Sequence, residues 1–128
     1  MTATALTRMD TAARPAAGGT LNIRGRVVLT TDGAIASGTC WGAAVSCEKA
    51  SSPEGKYTFT FTVAPTYIRT AIAQVVGQGT QLNVSQLTAR ATTGIVVQCY
   101  ETAGDPGVLT ADNPASGDVI DYEFNVIV

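Results

Sequence analysis

The stretch of residues 57–63 constrains the fold of this chain more than any other part of the sequence. It reads YTFTFTV, in which aromatic or apolar residues alternate strictly with threonines. A period of two residues places alternate side chains on opposite faces of an extended backbone, so the stretch predicts a β-strand with one aromatic face turned inward. Because such a strand must pair and be covered, the rest of the chain is expected to supply a sheet and a second layer.

The composition is typical of one compact β-rich domain rather than of a disordered chain. The 128 residues are 45% hydrophobic and only 14% charged, and a chain of this length can bury a core of its own. The sequence contains no histidine. Catalytic triads, proton shuttles and metal sites that depend on histidine are therefore excluded, and neither an enzyme nor a cofactor is expected.

Further stretches show strand patterns and turn signals in regular succession. They are residues 21–31, 34–39, 41–47, 66–77, 82–91, 94–101 and 119–128. Asp32-Gly33, between the first two, predicts a tight hairpin turn, because both turn residues need a positive φ. A shift in apolar parity predicts a bulge near Gln86. About eight strands without a convincing helix predict an all-β fold, an antiparallel, jelly-roll-like β-sandwich.

The charges divide the chain into two parts. Residues 1–26 carry four arginines against Asp10 alone, a balance of +3, whereas residues 27–128 carry four basic and nine acidic residues, a balance of −5. This asymmetry predicts an extended basic N-terminal arm, residues 1–26, followed by a β-sandwich domain, residues 27–128. Four arginines over such a stretch are too sparse for a nucleic-acid arm, so no nucleic-acid partner is expected.

The arm is expected either to fray or to order on a partner. Leu6, Met9 and Ala13 have the spacing of one or two helical turns, which are too short to be stable alone. Where the arm binds, its apolar and basic side chains supply the contacts. These partner-contacting residues are Leu6, Arg8, Met9, Arg14, Leu21, Ile23, Arg24 and Arg26. Deletion of residues 1–20 is then expected to leave the body folded and to abolish binding.

The first residues also bear on where the protein is made. They read MTATALTRMDTAARPAAGG and lack the apolar run of a signal peptide or of a membrane span. We therefore expect synthesis in the cytoplasm and no membrane partner.

The three cysteines form an odd set, which excludes a complete disulfide framework within one chain. Cys40 and Cys47 fall on opposite faces of one predicted strand, and this disfavours a bond between them. We expect them and Cys99 to be buried thiols. A zinc site would lack its fourth ligand and a cysteine nucleophile would lack an activating histidine, so neither is expected.

Two other features have both a functional and a structural interpretation. Loop 103–117 carries Asp105, Asp112 and Asn113, whose oxygens suit calcium. Its spacing matches no calcium loop, however, and its Asp-Pro-Gly and Asn-Pro pairs favour a surface turn or a contact with a neighbour. Trp41 is expected in the core, with a sugar-binding platform as the alternative.

Four stretches carry a resemblance to a known group of proteins. They are TDGAIASGT, EGKYTFTFTVAPTY, TGIVVQCYET and the closing DYEFNVIV. They contain a Gly-rich turn before a strand, a Gly-x-Tyr-x-Phe-x-Phe strand, a Tyr after the following turn and a terminal Phe-x-Val-x-Val strand. Over residues 31–128 the chain resembles small β-sandwich structural proteins of tailed bacteriophages, namely head-decoration (cement) proteins and the related terminal domains of tail fibres.

The resemblance implies a virion component, commonly a homotrimer, that acts through surface contacts rather than chemistry. The short basic arm fits a decoration protein, which binds the outer surface of the head shell and stabilises it by bridging major capsid subunits. Such a protein is synthesised in the host cytoplasm and resides on the capsid surface of the virion. The alternative is a tail-fibre or tail-tip domain that binds a glycan or receptor on the host surface.

Overall fold

The computed structural model describes residues 3–11, 15–77, 83–91, 94–101 and 110–128. These residues form eleven strands and a single 3-10 turn at Thr31–Gly33. The strands are β1 (Thr4–Ala5), β2 (Thr7–Arg8), β3 (Thr20–Leu29), β4 (Ile35–Trp41), β5 (Val45–Lys49), β6 (Lys56–Phe61), β7 (Tyr67–Val76), β8 (Asn83–Ala91), β9 (Gly94–Glu101), β10 (Thr110–Ala111) and β11 (Val119–Ile127). The part of the chain that the structure describes contains no helical segment that could span a bilayer.

The strands pair into two sheets, which confirms the predicted β-sandwich. One sheet runs β1-β5-β6-β9-β10. β8 lies off this path and also pairs with β9. The second sheet runs β2-β4-β3-β11-β7. The pairings are antiparallel except that β2 lies parallel to β4. The edges of the sandwich are therefore β1 and β2 on one side and β7 and β8 on the other.

The aromatic strand organises the core, as the alternation predicts. Tyr57 and Phe59 are fully buried and Phe61 is nearly so. The Phe59 ring lies 4.8 Å from Tyr122 and 5.6 Å from Phe124, which belong to β11 of the opposite sheet. Aromatic pairs in such tilted geometries contribute about 0.5–1.5 kcal/mol each beyond the area they bury. The two sheets are thus held together where β6 faces β11.

The predicted hairpin between β3 and β4 is confirmed. Asp32 and Gly33 both adopt left-handed backbone angles, with φ of 57° and 72°, as the tight turn requires. The Tyr57 hydroxyl donates a hydrogen bond to the carbonyl oxygen of Gly33 and so ties the turn to the opposite sheet. Burial raises the pKa of this hydroxyl well above its usual range, so it stays protonated as a donor.

The prediction of one strand over residues 41–47 is wrong, because the chain changes sheets there. β4 ends at Trp41 and β5 begins at Val45 in the other sheet. Gly42, with φ of 89°, makes the crossing, and a Cβ at this position would collide with the backbone carbonyl of Asn22. Cys40 and Cys47 therefore lie on facing sheets rather than on opposite faces of one strand, and both thiols are buried and free.

The region predicted as an arm also differs from the expectation. β3 begins at Thr20, so its first residues belong to the sheet and not to an arm that ends at Arg26. Nearer the N-terminus, where an arm that frays or orders on a partner was expected, β1 pairs with β5 of one sheet and β2 with β4 of the other. Local spacing missed this because each strand is two residues long and is held by tertiary pairing.

The remaining strand predictions are confirmed with small shifts. Residues 66–77, 82–91, 94–101 and 119–128 correspond to β7, β8, β9 and β11. The β8 pairing with β9 shifts register between Leu87 and Ala89, next to the predicted bulge. β7 contains a second irregularity, because its pairing with β11 passes from Ile68 to Thr70 and skips Arg69. This bulge changes which side chains of β7 face outward.

Candidate binding surfaces

The apolar residues predicted to contact a partner lie inside the sandwich. Leu6 is 6% exposed, Leu21 is 7% exposed and Ile23 is fully buried. Leu6 lies between β1 and β2, and its backbone N–H donates to the carbonyl oxygen of Val45 at 3.0 Å. Burying a leucine or isoleucine side chain contributes about 1.5–3 kcal/mol. In this conformation these three side chains stabilise the fold and are not accessible to a partner.

Two of the predicted arginines are paired within the chain. Arg8 Nε lies 2.8 Å from the Asp10 carboxylate. Arg26 makes a two-pronged contact with Asp121, at 2.6 Å from Nε and 3.0 Å from Nη2. Of the other predicted contacts, Met9 is 53% exposed, Arg24 is exposed, and Arg14 lies outside the described residues.

Asp10 fastens the N-terminal segment, by which we mean residues 4–10, to the body. Both oxygens of its carboxylate lie 3.1 Å from the backbone N–H of Gly42, at the crossing between the sheets. The hydrogen bond from Arg8 and the one from Gly42 lower the pKa of Asp10 below its usual range. The segment therefore ends at a charged hydrogen-bonded anchor rather than in a free tail.

The outer face of the five-stranded sheet contains a groove of about 530 Å³. Its lining residues come from β3, β4 and β11 and are Arg24, Gly25, Arg26, Thr39, Trp41, Asp121, Tyr122 and Glu123. Trp41 is half-buried on this outer face, and the Arg24 guanidinium lies 5.8 Å from the centre of its ring. Trp41 is therefore not the core residue that was expected, because Cys40 before it takes the inward position on β4.

On the inner face of the sheet, beneath the groove, a glycine lies opposite a tyrosine. Gly25 lies directly across from Tyr122, and a Cβ on Gly25 would collide with the Tyr122 hydroxyl and the carbonyl oxygen of Thr39. The Tyr122 hydroxyl donates to that carbonyl at 3.0 Å. Burial raises the pKa of Tyr122 well above its usual range. The Tyr122 ring packs against Phe59 in the core, so it fixes this part of the sheet from the inner face, opposite the groove.

A row of apolar side chains on β7 was missed by the sequence analysis. This β7 row consists of Tyr67, Ile72 and Val76, which are 60%, 62% and 44% exposed. The sequence marks the segment as apolar, but the bulge at Arg69 turns Ile72 outward although Ile68, four residues earlier, is buried. A smaller groove of about 210 Å³ next to the row is lined by Ile72 and by residues of β11, so the row is continuous with the outer face.

The acidic loop that suggested calcium is used for turn contacts where the structure describes it. The Asn113 side-chain oxygen accepts from the Gly55 backbone N–H at 2.8 Å, and a buried Asp118 oxygen accepts from the Ala115 N–H at 2.9 Å. Burial and a hydrogen bond with Asp112 raise the pKa of Glu101. Asp105 lies outside the described residues, among which no cluster of three metal-ligating side chains is found.

All three cysteines are free and buried, as predicted. Burial raises the pKa of the Cys99 thiol to about 12 and that of Cys47 beyond this. Thiols with such values stay protonated near neutral pH and react slowly, because the thiolate is the nucleophile. Cys47 and Cys99 therefore behave as small apolar core residues.

Comparisons with protein-family models, with curated proteins and with solved structures found no match to this chain.

Proposed function

We propose that the protein is a decoration (cement) protein of a tailed-bacteriophage head. In this role it binds the outer surface of the shell, bridges major capsid subunits and acts through surface contacts without chemistry. The resemblance of residues 31–128 to such proteins supports the proposal, as does the β-sandwich fold that the resemblance implies. The structural observation that carries it is the exposed β7 row.

The β7 row has the properties of a contact surface. β7 is a ten-residue strand at the edge of its sheet, and Arg69 is its one charged residue. Edge strands that stay exposed are usually short, charged or covered, because a long apolar edge promotes association. Burying an exposed apolar side chain of this size contributes about 1.5–3 kcal/mol. We assign the row to a major capsid subunit as its partner.

This assignment moves the shell contact away from residues 1–26, where the sequence placed it. Leu6, Leu21 and Ile23 belong to the core, and Arg8 and Arg26 are paired with carboxylates of the same chain. The surface of residues 1–26 is therefore a poorer candidate for the shell contact than the β7 row. Repetition over many shell sites compensates for modest affinity at each one, because linked contacts raise the effective concentration.

The test is co-sedimentation of the purified protein with empty head shells of the phage that encodes it. Wild-type protein is expected to saturate the shells, and Ile72→Lys is expected to weaken binding at least about tenfold by placing a charge in the apolar contact. Met9→Lys is the matched control, because it introduces the same charge at an exposed apolar residue on the opposite edge. It is expected to bind like wild type.

Two results contradict the proposal in different ways. Wild-type protein that ignores the shells overturns the decoration function itself. Shell binding that survives Ile72→Lys but is lost in Met9→Lys keeps the function and returns the contact to the N-terminal segment. Light scattering on the same sample measures the expected homotrimer as a mass three times 13.1 kDa.

A further inference from the structure

We propose that the groove around Trp41 on the outer face of the five-stranded sheet binds a neutral oligosaccharide, with the Trp41 ring as its stacking platform. The inference is independent of shell binding, because it rests on the residues that line this groove and not on the β7 row. A sugar ring combines an apolar face of C–H groups with a rim of hydroxyls. The groove offers a matching surface for each.

The apolar part of the match is Trp41. It is the one tryptophan of the sequence, and β4 presents it outward and half-buried instead of in the core. An indole face carries partial negative charge and packs well against polarised C–H groups and cations. The Arg24 guanidinium, 5.8 Å from the centre of the Trp41 ring, makes such a cation–π contact. The ring is therefore held in place and lies at the wall of the groove.

The polar part of the match consists of one hydrogen-bond donor, Arg24, and one acceptor, Glu123, which both line the groove. Arg24 contacts the Trp41 ring, and among the residues that the structure describes no carboxylate lies within ion-pair distance of its guanidinium. Glu123 lies opposite Arg24 in the strand register, yet its Oε1 accepts from the Asn22 side chain at 2.9 Å. A hydroxyl both donates and accepts, so adjacent sugar hydroxyls can use the two groups together.

The charges of the groove select against an ionic ligand. Two arginines and two carboxylates line it and balance each other. Arg26 is already neutralised by Asp121 through two hydrogen bonds. The groove as a whole therefore offers a charged ligand no net opposite charge, and such a ligand would lose its hydration. A volume of about 530 Å³ lies within the range of roughly 300–1,000 Å³ that is usual for ligand sites.

Intrinsic fluorescence tests the proposal directly, because Trp41 is the one tryptophan and its emission reports this groove. The probes are a panel of neutral oligosaccharides, namely glucan, galactan and mannan fragments, with a polyuronate fragment as the charged comparison. At least one neutral fragment is expected to change the emission saturably. Calorimetry with that fragment is expected to show at least about tenfold weaker binding to Trp41→Ala.

The controls separate the site from general effects on the fold. Trp41→Phe keeps an aromatic face and is expected to retain part of the affinity. Tyr67→Ala removes an exposed aromatic outside the groove and is expected to bind like wild type. Far-ultraviolet circular dichroism in urea checks that each variant is folded. Binding that is unchanged in folded Trp41→Ala, or a response to the polyuronate alone, or no response to the panel, overturns the proposal.

Discussion

The two lateral edges of the sandwich are completed in different ways. On one side the N-terminal segment pairs with both sheets and places Leu6 between them. On the other side β7 and β8 end the sheets in contact with each other, and β7 leaves Ile72 and Val76 exposed. Apolar side chains at one edge thus stabilise the fold, whereas similar side chains at the other edge are available to a partner.

The difference shows why residue type alone does not identify a binding surface. Leu6 lies in a stretch with the composition of a free tail, and Ile72 lies in a stretch with the composition of a core strand. The strand pairing gives both residues the opposite environment from the one that their composition indicates. Leu6 becomes buried because its flanking residues reach two sheets at once, and Ile72 becomes exposed because of the bulge beside it.

The largest expected effect comes from removing the side chain that closes the N-terminal edge. Leu6→Ala is expected to lower the free energy of unfolding by about 2–4 kcal/mol, because it leaves a cavity between the sheets. Met9→Ala, at a residue that is 53% exposed, is expected to change it by less than about 0.5 kcal/mol. Urea unfolding followed by circular dichroism measures both. Equal effects of the two substitutions would mean that the segment does not close the edge.

The same pair of variants has a second, local readout. The Cys40 thiol lies 3.7 Å from the Leu6 carbonyl oxygen and is buried beneath the N-terminal segment. A thiol reagent followed by peptide mass spectrometry is therefore expected to modify Cys40 before Cys47 or Cys99 in Leu6→Ala. No such order is expected in Met9→Ala. Modification of all three thiols together would indicate global unfolding instead of a local opening.

A smaller effect is expected from the charge that anchors the segment. The folded pKa of Asp10 is lowered below 3.8, so its carboxylate stabilises the fold above pH 3.8 and this contribution is lost as the pH falls through the lower folded value. Hydrogen exchange of the Leu6 and Met9 amides, corrected for intrinsic rates, is expected to accelerate several-fold in that window.

Asp10→Asn supplies the control for this pH effect. The variant lacks the titrating group, so its exchange at these amides is expected to be faster at neutral pH and to change little on acidification. A pH dependence like that of wild type would assign the effect to another carboxylate.

The smallest effect on stability is expected at the open edge. Ile72→Thr, at a residue that is 62% exposed, is expected to change the free energy of unfolding by less than about 0.5 kcal/mol. Val75→Thr, on the inward face of the same strand and 6% exposed, is expected to cost about 1–3 kcal/mol because it buries a hydroxyl. A large cost for Ile72→Thr in urea unfolding would show that the β7 row supports the fold.

The sequence predicted the parts of the fold in which one period persists through a strand. The alternations around Phe59 and Phe124 and the turn at Asp32-Gly33 appear as expected, because local pattern and tertiary position agree there. The crossing at Gly42 was missed because Ala43, Val45 and Cys47 continue an inward alternation although the chain has changed sheets.

The candidate surfaces were harder to predict for the same physical reason. The groove depends on Arg24, Trp41 and Glu123 meeting across three strands, and the sequence fixes no such register. The exposure of Ile72 depends on a bulge that the apolar run of β7 does not reveal. The sequence singled out Trp41 as a core residue or a sugar-binding platform, but its outward position depends on the register of β4.

Hydrogen exchange of the full-length protein, measured with and without empty head shells, tests the contrast between the two edges most directly. Peptides from β7 are expected to gain protection on the shells, while peptides from residues 4–10 are already protected and are expected not to change. Protection gained in residues 4–10 with no change in β7 would contradict it, and would make the N-terminal segment the binding element.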